Sequence, residues 1–116
     1  SSGSSTVVNP APIPGTILNL KLNTGTKYNI PKNYFQSLNG IRIMNQGPGL
    51  IKAYSSVQQN IEPLSTEGFS IADGEVANIR LSDLGDYANN NYVIVKNISL
   101  AQQASCTAQS VALLIT

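Results

Sequence analysis

The sequence predicts an all-β chain: an antiparallel β-sandwich of jelly-roll or Greek-key type, with about eight strands and an extended N-terminal arm. Three observations lead there. Short runs in which apolar and polar residues alternate recur along the chain, and that period marks half-buried strands. Clusters of Gly, Pro, Asn and Asp separate the runs at intervals of roughly 8 to 12 residues, the spacing of small β domains. No stretch keeps a 3.6-residue apolar period over the ~11 residues a helix requires. With 116 residues, the chain suits one core, since a domain of this size buries roughly 65% of the surface its unfolded chain exposes. The expected organisation is an arm over residues 1–15 followed by one sandwich domain over residues 16–116.

The elements follow in order. The chain begins SSGSSTVV, without an initiator Met or a signal peptide, as a processed terminus, an expression remnant or a piece of a longer protein would. Residues 1–5 are therefore left out of the expected core. Residues 6–15, TVVNPAPIPG, carry prolines at 10, 12 and 14. Each fixes its own φ and pushes its predecessor into extended geometry, which makes a polyproline-like arm. Val7, Val8, Pro10, Pro12, Ile13 and Pro14 are the candidate assembly residues, because an ordered apolar arm needs a surface to lie on. That surface belongs either to a neighbouring subunit or to the arm's own domain, and a loose terminus is the third reading.

TILNLKL then places Leu18, Leu20 and Leu22 on one face. Asn23-Thr24-Gly25 turns the chain into TKYNI, which Pro31 ends, and the pair reads as a hairpin. The stretch 32–38 fits a helical turn or a short strand and is assigned to loop, ahead of the Asn39-Gly40 pair suited to positive φ. IRIMNQ, Gly47-Pro48-Gly49 and LIKAYSSV form the clearest expected hairpin. After a polar loop over 58–68, FSI and EVANIRL flank Asp73-Gly74 as a third, with Ala77, Ile79 and Leu81 sharing a face. YVIVKNI is apolar enough for a strand covered on both sides, and CTAQSVALLIT closes the chain; both belong near the centre of a sheet.

The same composition narrows function. Only 11% of residues are charged and the net charge is +1, which leaves little for a phosphate backbone or an acidic membrane to attract, so nucleic acid and membrane are not expected partners. No apolar run nears the ~18 residues of a membrane span. Asn, Gln, Ser and Thr supply about a third of the chain, a balance common in extracellular, cell-surface and virion proteins. The single cysteine, Cys106, has no internal disulfide partner and reads as a small buried hydrophobe. With no histidine, the commonest general base and imidazole ligand are missing.

Six carboxylates remain: Glu62, Glu67, Asp73, Glu75, Asp83 and Asp86. Glycoside hydrolysis needs two of them across one cleft, and the chain has no tryptophan to stack on a sugar. Asp73 and Glu75 could join Asp83 and Asp86 around Ca²⁺ if their loops met. As turn formers that bond their own backbone they need no ion, and neither a metal nor a cofactor is expected. Gly47-Pro48-Gly49 lacks the lysine and helix of a phosphate loop. Tyr28, Tyr34, Tyr54, Tyr87 and Tyr92 would make a stacking platform on one exposed face, whereas alternation assigns Tyr28 and Tyr92 to the core or its rim. Asn97-Ile98-Ser99 is a glycosylation sequon at a strand end.

The succession IRIMNQGPGLIKAYSS, IEPLSTEGFSIADGEVANIRL and YVIVKNIS resembles the small β-sandwich domains of virus and phage particles, among decoration proteins, spikes and fibre bases. The resemblance covers about half the chain. It implies a non-enzymatic role on a virion, as capsid decoration, minor capsid or spike protein. It also implies a homo-oligomer, a trimer foremost, partnered by a major capsid or other structural protein, and it carries no catalytic residue across. Two other classes fit the composition: an extracellular glycan-binding or host-attachment module, and a pilus or surface-layer subunit joined by donated strands.

Overall fold

The computed structural model describes residues 12–114. Its strands are β1 (Leu18–Leu22), β2 (Lys27–Pro31), β3 (Gly40–Pro48), β4 (Ile51–Ser56), β5 (Phe69–Ile71), β6 (Val76–Arg80), β7 (Tyr92–Asn97) and β8 (Ala104–Val111). They form two four-stranded sheets, β1-β8-β3-β6 (sheet A) and β2-β7-β4-β5 (sheet B), and every paired neighbour runs antiparallel. Four of the pairs nest: β1 with β8, β2 with β7, β3 with β6, and β4 with β5. A ribbon folded once at the β4–β5 connection and then wrapped on itself gives that nesting. It is the jelly-roll order, in agreement with the sandwich that the alternation predicts.

The three expected hairpins are corrected by this topology. β1 and β2, β3 and β4, and β5 and β6 each reverse direction at the expected turn, but the two members of each pair lie in different sheets. Turn residues encode a reversal; whether the next strand pairs beside the last or crosses to the facing sheet depends on partners far away in the chain. The pairing β1 makes is with residues 104–108. β7 and β8 do occupy inner positions of their sheets, as their apolar density suggests.

At one end of the sandwich the connections are short, and two buried asparagines hold them. Asn45 donates both amide hydrogens, to the carbonyls of Gly49 and Ile71 at 2.8 Å each, and accepts from the Gly47 N–H at 2.7 Å. Asn97 donates to Leu22 and Gln102 carbonyls at 2.9 and 2.7 Å and accepts from the Ser99 N–H at 2.9 Å. Each thereby satisfies backbone groups that leave one sheet for the other, groups that would be costly to bury unpaired.

The opposite end carries the longer connections 32–39, 57–68 and 81–91. Two of them supply core residues. The 3₁₀ turn Lys32–Phe35 buries Tyr34 and Phe35 completely, and the 81–91 connection buries Leu81 and Leu84. Tyr34, Phe35 and Tyr87 meet edge to face, with ring centroids 5.2 and 6.3 Å apart, a preferred aromatic geometry. Between the sheets Leu18, Leu20, Leu22, Ile41 and Ile43 pack against Ile30, Ile51, Ala53, Val93 and Val95. The inward side chains of the central strand β8 are small: Ala104, Cys106 and Ala108.

Candidate assembly surfaces

The candidate arm is only partly covered by the structure. Val7, Val8 and Pro10 lie outside the described residues. Pro12 is half-buried, while Ile13 (69% exposed) and Pro14 present themselves to solvent. Ile13-Pro14-Gly15-Thr16 forms a reverse turn in which the Thr16 N–H and hydroxyl both donate to the Ile13 carbonyl, at 3.2 and 2.7 Å. Pro14 presets φ at the second position, and Gly15, at φ 81°, supplies the left-handed third, the residue order of a type II turn. The Tyr34 hydroxyl donates to the Thr16 carbonyl and ties the root of the arm to the core.

The two outward faces of the sandwich differ. On sheet B, register sets Lys27 of β2 beside Lys96 of β7, and Lys96 beside Lys52 of β4, a row of like charges that is unfavourable on a bare sheet. Residues 57–68 strap across it. Glu62 pairs with Lys27 at 2.5 Å and with Lys96, while the Lys52 Nζ donates to the carbonyls of Leu64 and Ser65, each at 3.2 Å. Those two lysines hold the Glu62 carboxyl below the usual carboxylate range. In the next row Asn29, Ile94 and Tyr54 stand abreast. Asn29 exchanges hydrogen bonds with Asn60 of the strap, at 3.0 and 2.9 Å, and the Tyr54 hydroxyl donates to the Ile61 carbonyl at 2.6 Å. Tyr54 and Ile94 are fully buried beneath the strap although both point away from the core. Burial first, then the charges of Glu62 and Glu67, push the Tyr54 phenol far above its ordinary value.

Among the described residues, none straps across sheet A. Alternation turns Asn19 and Lys21 of β1, Ser105, Thr107, Gln109 and Val111 of β8, Arg42, Met44 and Gln46 of β3, and Val76, Asn78 and Arg80 of β6 outward. Asn19, Thr107, Met44 and Val76 make one cross-strand row, and Gln109, Arg42 and Asn78 the next. These outward strand positions carry three cations and no carboxylate. Among the described residues neither Lys21, Arg42 nor Arg80 meets an acid; the Arg42 Nε donates to Asn78 Oδ1 at 2.9 Å. Met44 (39% exposed) and Val76 (49% exposed) form a small apolar centre.

At the long-loop end, beside the strap, a cleft of about 440 Å³ is lined by residues including Ser55, Ser56, Val57, Ile61, Glu67 and Asp86. At its floor the Ser55 hydroxyl donates to the Leu84 carbonyl and accepts from Asn90 at 2.7 Å.

Other sequence candidates are dispersed. Asp73 and Glu75 precede β6 and Asp83 and Asp86 follow it, which separates the two acidic pairs by on the order of 15 Å of strand. Glu75 accepts from the Ala72 N–H at 2.7 Å, and Asp86 accepts from the Asn89 amide at 3.0 Å. No group of three metal-ligating side chains occurs among the described residues. The tyrosines share no exposed face: Tyr34 and Tyr54 are buried and the other three are half-buried. Gly47 and Pro48 close β3 with a cis peptide bond at the crossover to β4. The sequon residue Asn97 is wholly buried with its amide committed, so the folded domain offers no acceptor there. Cys106 is buried too, its thiol pushed up to about 11 by burial. Sequence reading missed the strap and the lysine row, because Glu62 lies far from both Lys27 and Lys96 along the chain and only strand register aligns the three lysines. Comparison with protein-family models, with curated proteins and with solved structures finds no match for this chain.

Proposed function

We propose that the chain is a non-enzymatic structural protein of a virion, as capsid decoration, minor capsid or spike protein, which assembles through its N-terminal arm and the outer face of sheet A. The observation that carries this reading is the contrast between the faces: residues 57–68 cover sheet B, whereas among the described residues none covers sheet A or pairs an acid with its three cations around Met44 and Val76. A polar face with an apolar centre has the make-up of a non-obligate protein interface. The jelly-roll order and the resemblance to particle proteins support the virion setting, in which the partner is a symmetric set of copies together with a larger structural protein. Removal of residues 1–15 tests the arm. The truncated chain is expected to lose oligomeric mass in sedimentation and to stop binding particles; unchanged mass with intact particle binding would discard the arm's role.

A second reading, an extracellular glycan-binding module, is favoured by one feature. The cleft sets serine hydroxyls and two carboxylates beside Val57 and Ile61, the mix of directed polar groups and apolar wall that small-ligand sites use. A glycan array that stays blank, with and without Ca²⁺, removes it.

A further inference from the structure

Where the two sheets' cations find their counter-charges leads to a specific contact. The chain has seven Lys and Arg residues, and four of them are answered internally. Lys27 and Lys96 hold Glu62. Lys52 takes two strap carbonyls. Lys32 donates to the carbonyls of Tyr87 and Ala88, at 3.2 and 2.9 Å, and lies 4.8 Å from the Tyr87 ring centroid. The three left over, Lys21, Arg42 and Arg80, all stand on the outer face of sheet A. Of the six carboxylates only Glu62 meets a cation among the described residues. The other five lie outside the strands, in the connections between them, with the Asp73 carboxyl against Gly47 near the end of β3.

We infer that the outer face of sheet A docks the acidic long-loop rim of a second copy of this chain, where Glu67 and Asp86 line one cleft with Val57 and Ile61 and Asp83 lies in the same 81–91 connection as Asp86. This rests on the assembly reading above and names the contact. Two sheet A faces cannot meet squarely, because every charge on both would be positive. The rim offers what the face lacks: carboxylates without cations, together with Val57 (53% exposed) and Ile61 (42% exposed) to cover Met44 and Val76. Its cleft of about 440 Å³ has room for an incoming guanidinium or ammonium arm. Asp73 and Glu75 fit less well, since they lie in the short connection before β6, at the end of the sandwich opposite Val57 and Ile61. Face and rim are different patches of one molecule, so the contact is head to tail and builds a ring or an open array in place of a two-fold dimer.

Charge exchange tests it on the full chain. One variant carries Arg42→Glu and Arg80→Glu; the other carries Asp83→Lys and Asp86→Lys, four exposed positions, with thermal melts to verify folding. Each variant alone is expected to sediment as the 12.3 kDa monomer, and an equimolar mixture to associate again into alternating, even-numbered assemblies, because each then supplies the charge that the other lacks. Wild-type association should weaken at least ~10-fold between about 0.05 M and about 0.5 M salt. Variants that each keep wild-type mass, or a mixture that stays monomeric, would overturn the contact while leaving the assembly reading to the arm. A wild-type chain that is monomeric at every concentration and salt would overturn both. Duplex DNA bound by monomers and lost from the arginine variant alone would assign the face to a polyanion and likewise overturn the contact.

Discussion

Both sheets turn three cations outward, but the chain answers only one set. On sheet B, Lys27, Lys96 and Lys52 stand in a row and would repel one another; residues 57–68 bring Glu62 and two backbone carbonyls to them and close over Tyr54 and Ile94. On sheet A, Lys21, Arg42 and Arg80 are staggered among Asn, Gln, Ser and Thr, and no described residue is laid across them. The jelly roll gives the two sheets near-equivalent scaffolds. Their outer surfaces therefore differ because of one twelve-residue connection, and that difference separates a face that belongs to the core from a face that is presented.

The largest effect should come from reversing that status residue by residue. Tyr54→Ala removes a fully buried outward ring and its hydrogen bond to the strap, and we expect a loss of about 3–5 kcal/mol, the range for a buried aromatic. Met44→Ala, at a comparable outward position on sheet A but 39% exposed, should cost less than about 1 kcal/mol. Urea denaturation of the two variants measures the contrast. Losses of similar size would mean that the strap does not extend the core.

Much of this was legible from residue order, and the boundary is physical. Alternation or apolar density between turn signals located the strands, because burial acts on neighbouring residues: Leu18, Leu20 and Leu22 are enough to declare β1, and YVIVKNI reads as β7 by its apolar content. Turn chemistry located the reversals for the same local reason. It misassigned three of them as hairpins because Asn23-Thr24-Gly25 carries no information about Asn97, whose carbonyl receives the Gly25 N–H at 3.0 Å. The 32–38 stretch hid Tyr34 and Phe35, since a 3₁₀ turn that plugs a sandwich end has no period to read. Presented surfaces were the least legible. Lys21 and Lys27 look alike in sequence, and only the fold gives one of them an acid.

A smaller effect should appear at the strap's own bend. Asn60 adopts φ 62°, a left-handed conformation that asparagine tolerates and most side chains resist, and its amide oxygen accepts from Asn29. Asn60→Ala should cost about 1–2 kcal/mol through both terms. Asn60→Gly forgoes the amide contact but keeps the bend, along with the backbone N–H donated to Asn29, and should cost less. Equal losses would show that the conformation, as distinct from the side-chain pair, contributes nothing.

The subtlest difference between the faces is in their response to acid. Glu62 titrates below its ordinary value of 4.5 because its hydrogen bonds and charge attraction to Lys27 and Lys96 outweigh its desolvation. A carboxylate depressed on folding contributes stability that is fully present above its unfolded pKa and disappears as pH falls through the folded one. The clamp should therefore hold at neutral pH and weaken only below about pH 4.5, where protonation returns Lys27 and Lys96 to mutual repulsion. Glu62→Gln should lower the urea midpoint at pH 7 and flatten its further fall on the acid side, with both differences reduced in high salt because Glu62 is exposed. Arg42→Gln, which removes a cation that has no acid to lose, should follow the wild-type acid limb. If the two variants changed that limb alike, the decline would belong to the net charge of the chain, and the strap's hold on sheet B would rest on Tyr54, Asn60 and the Lys52 carbonyl contacts alone.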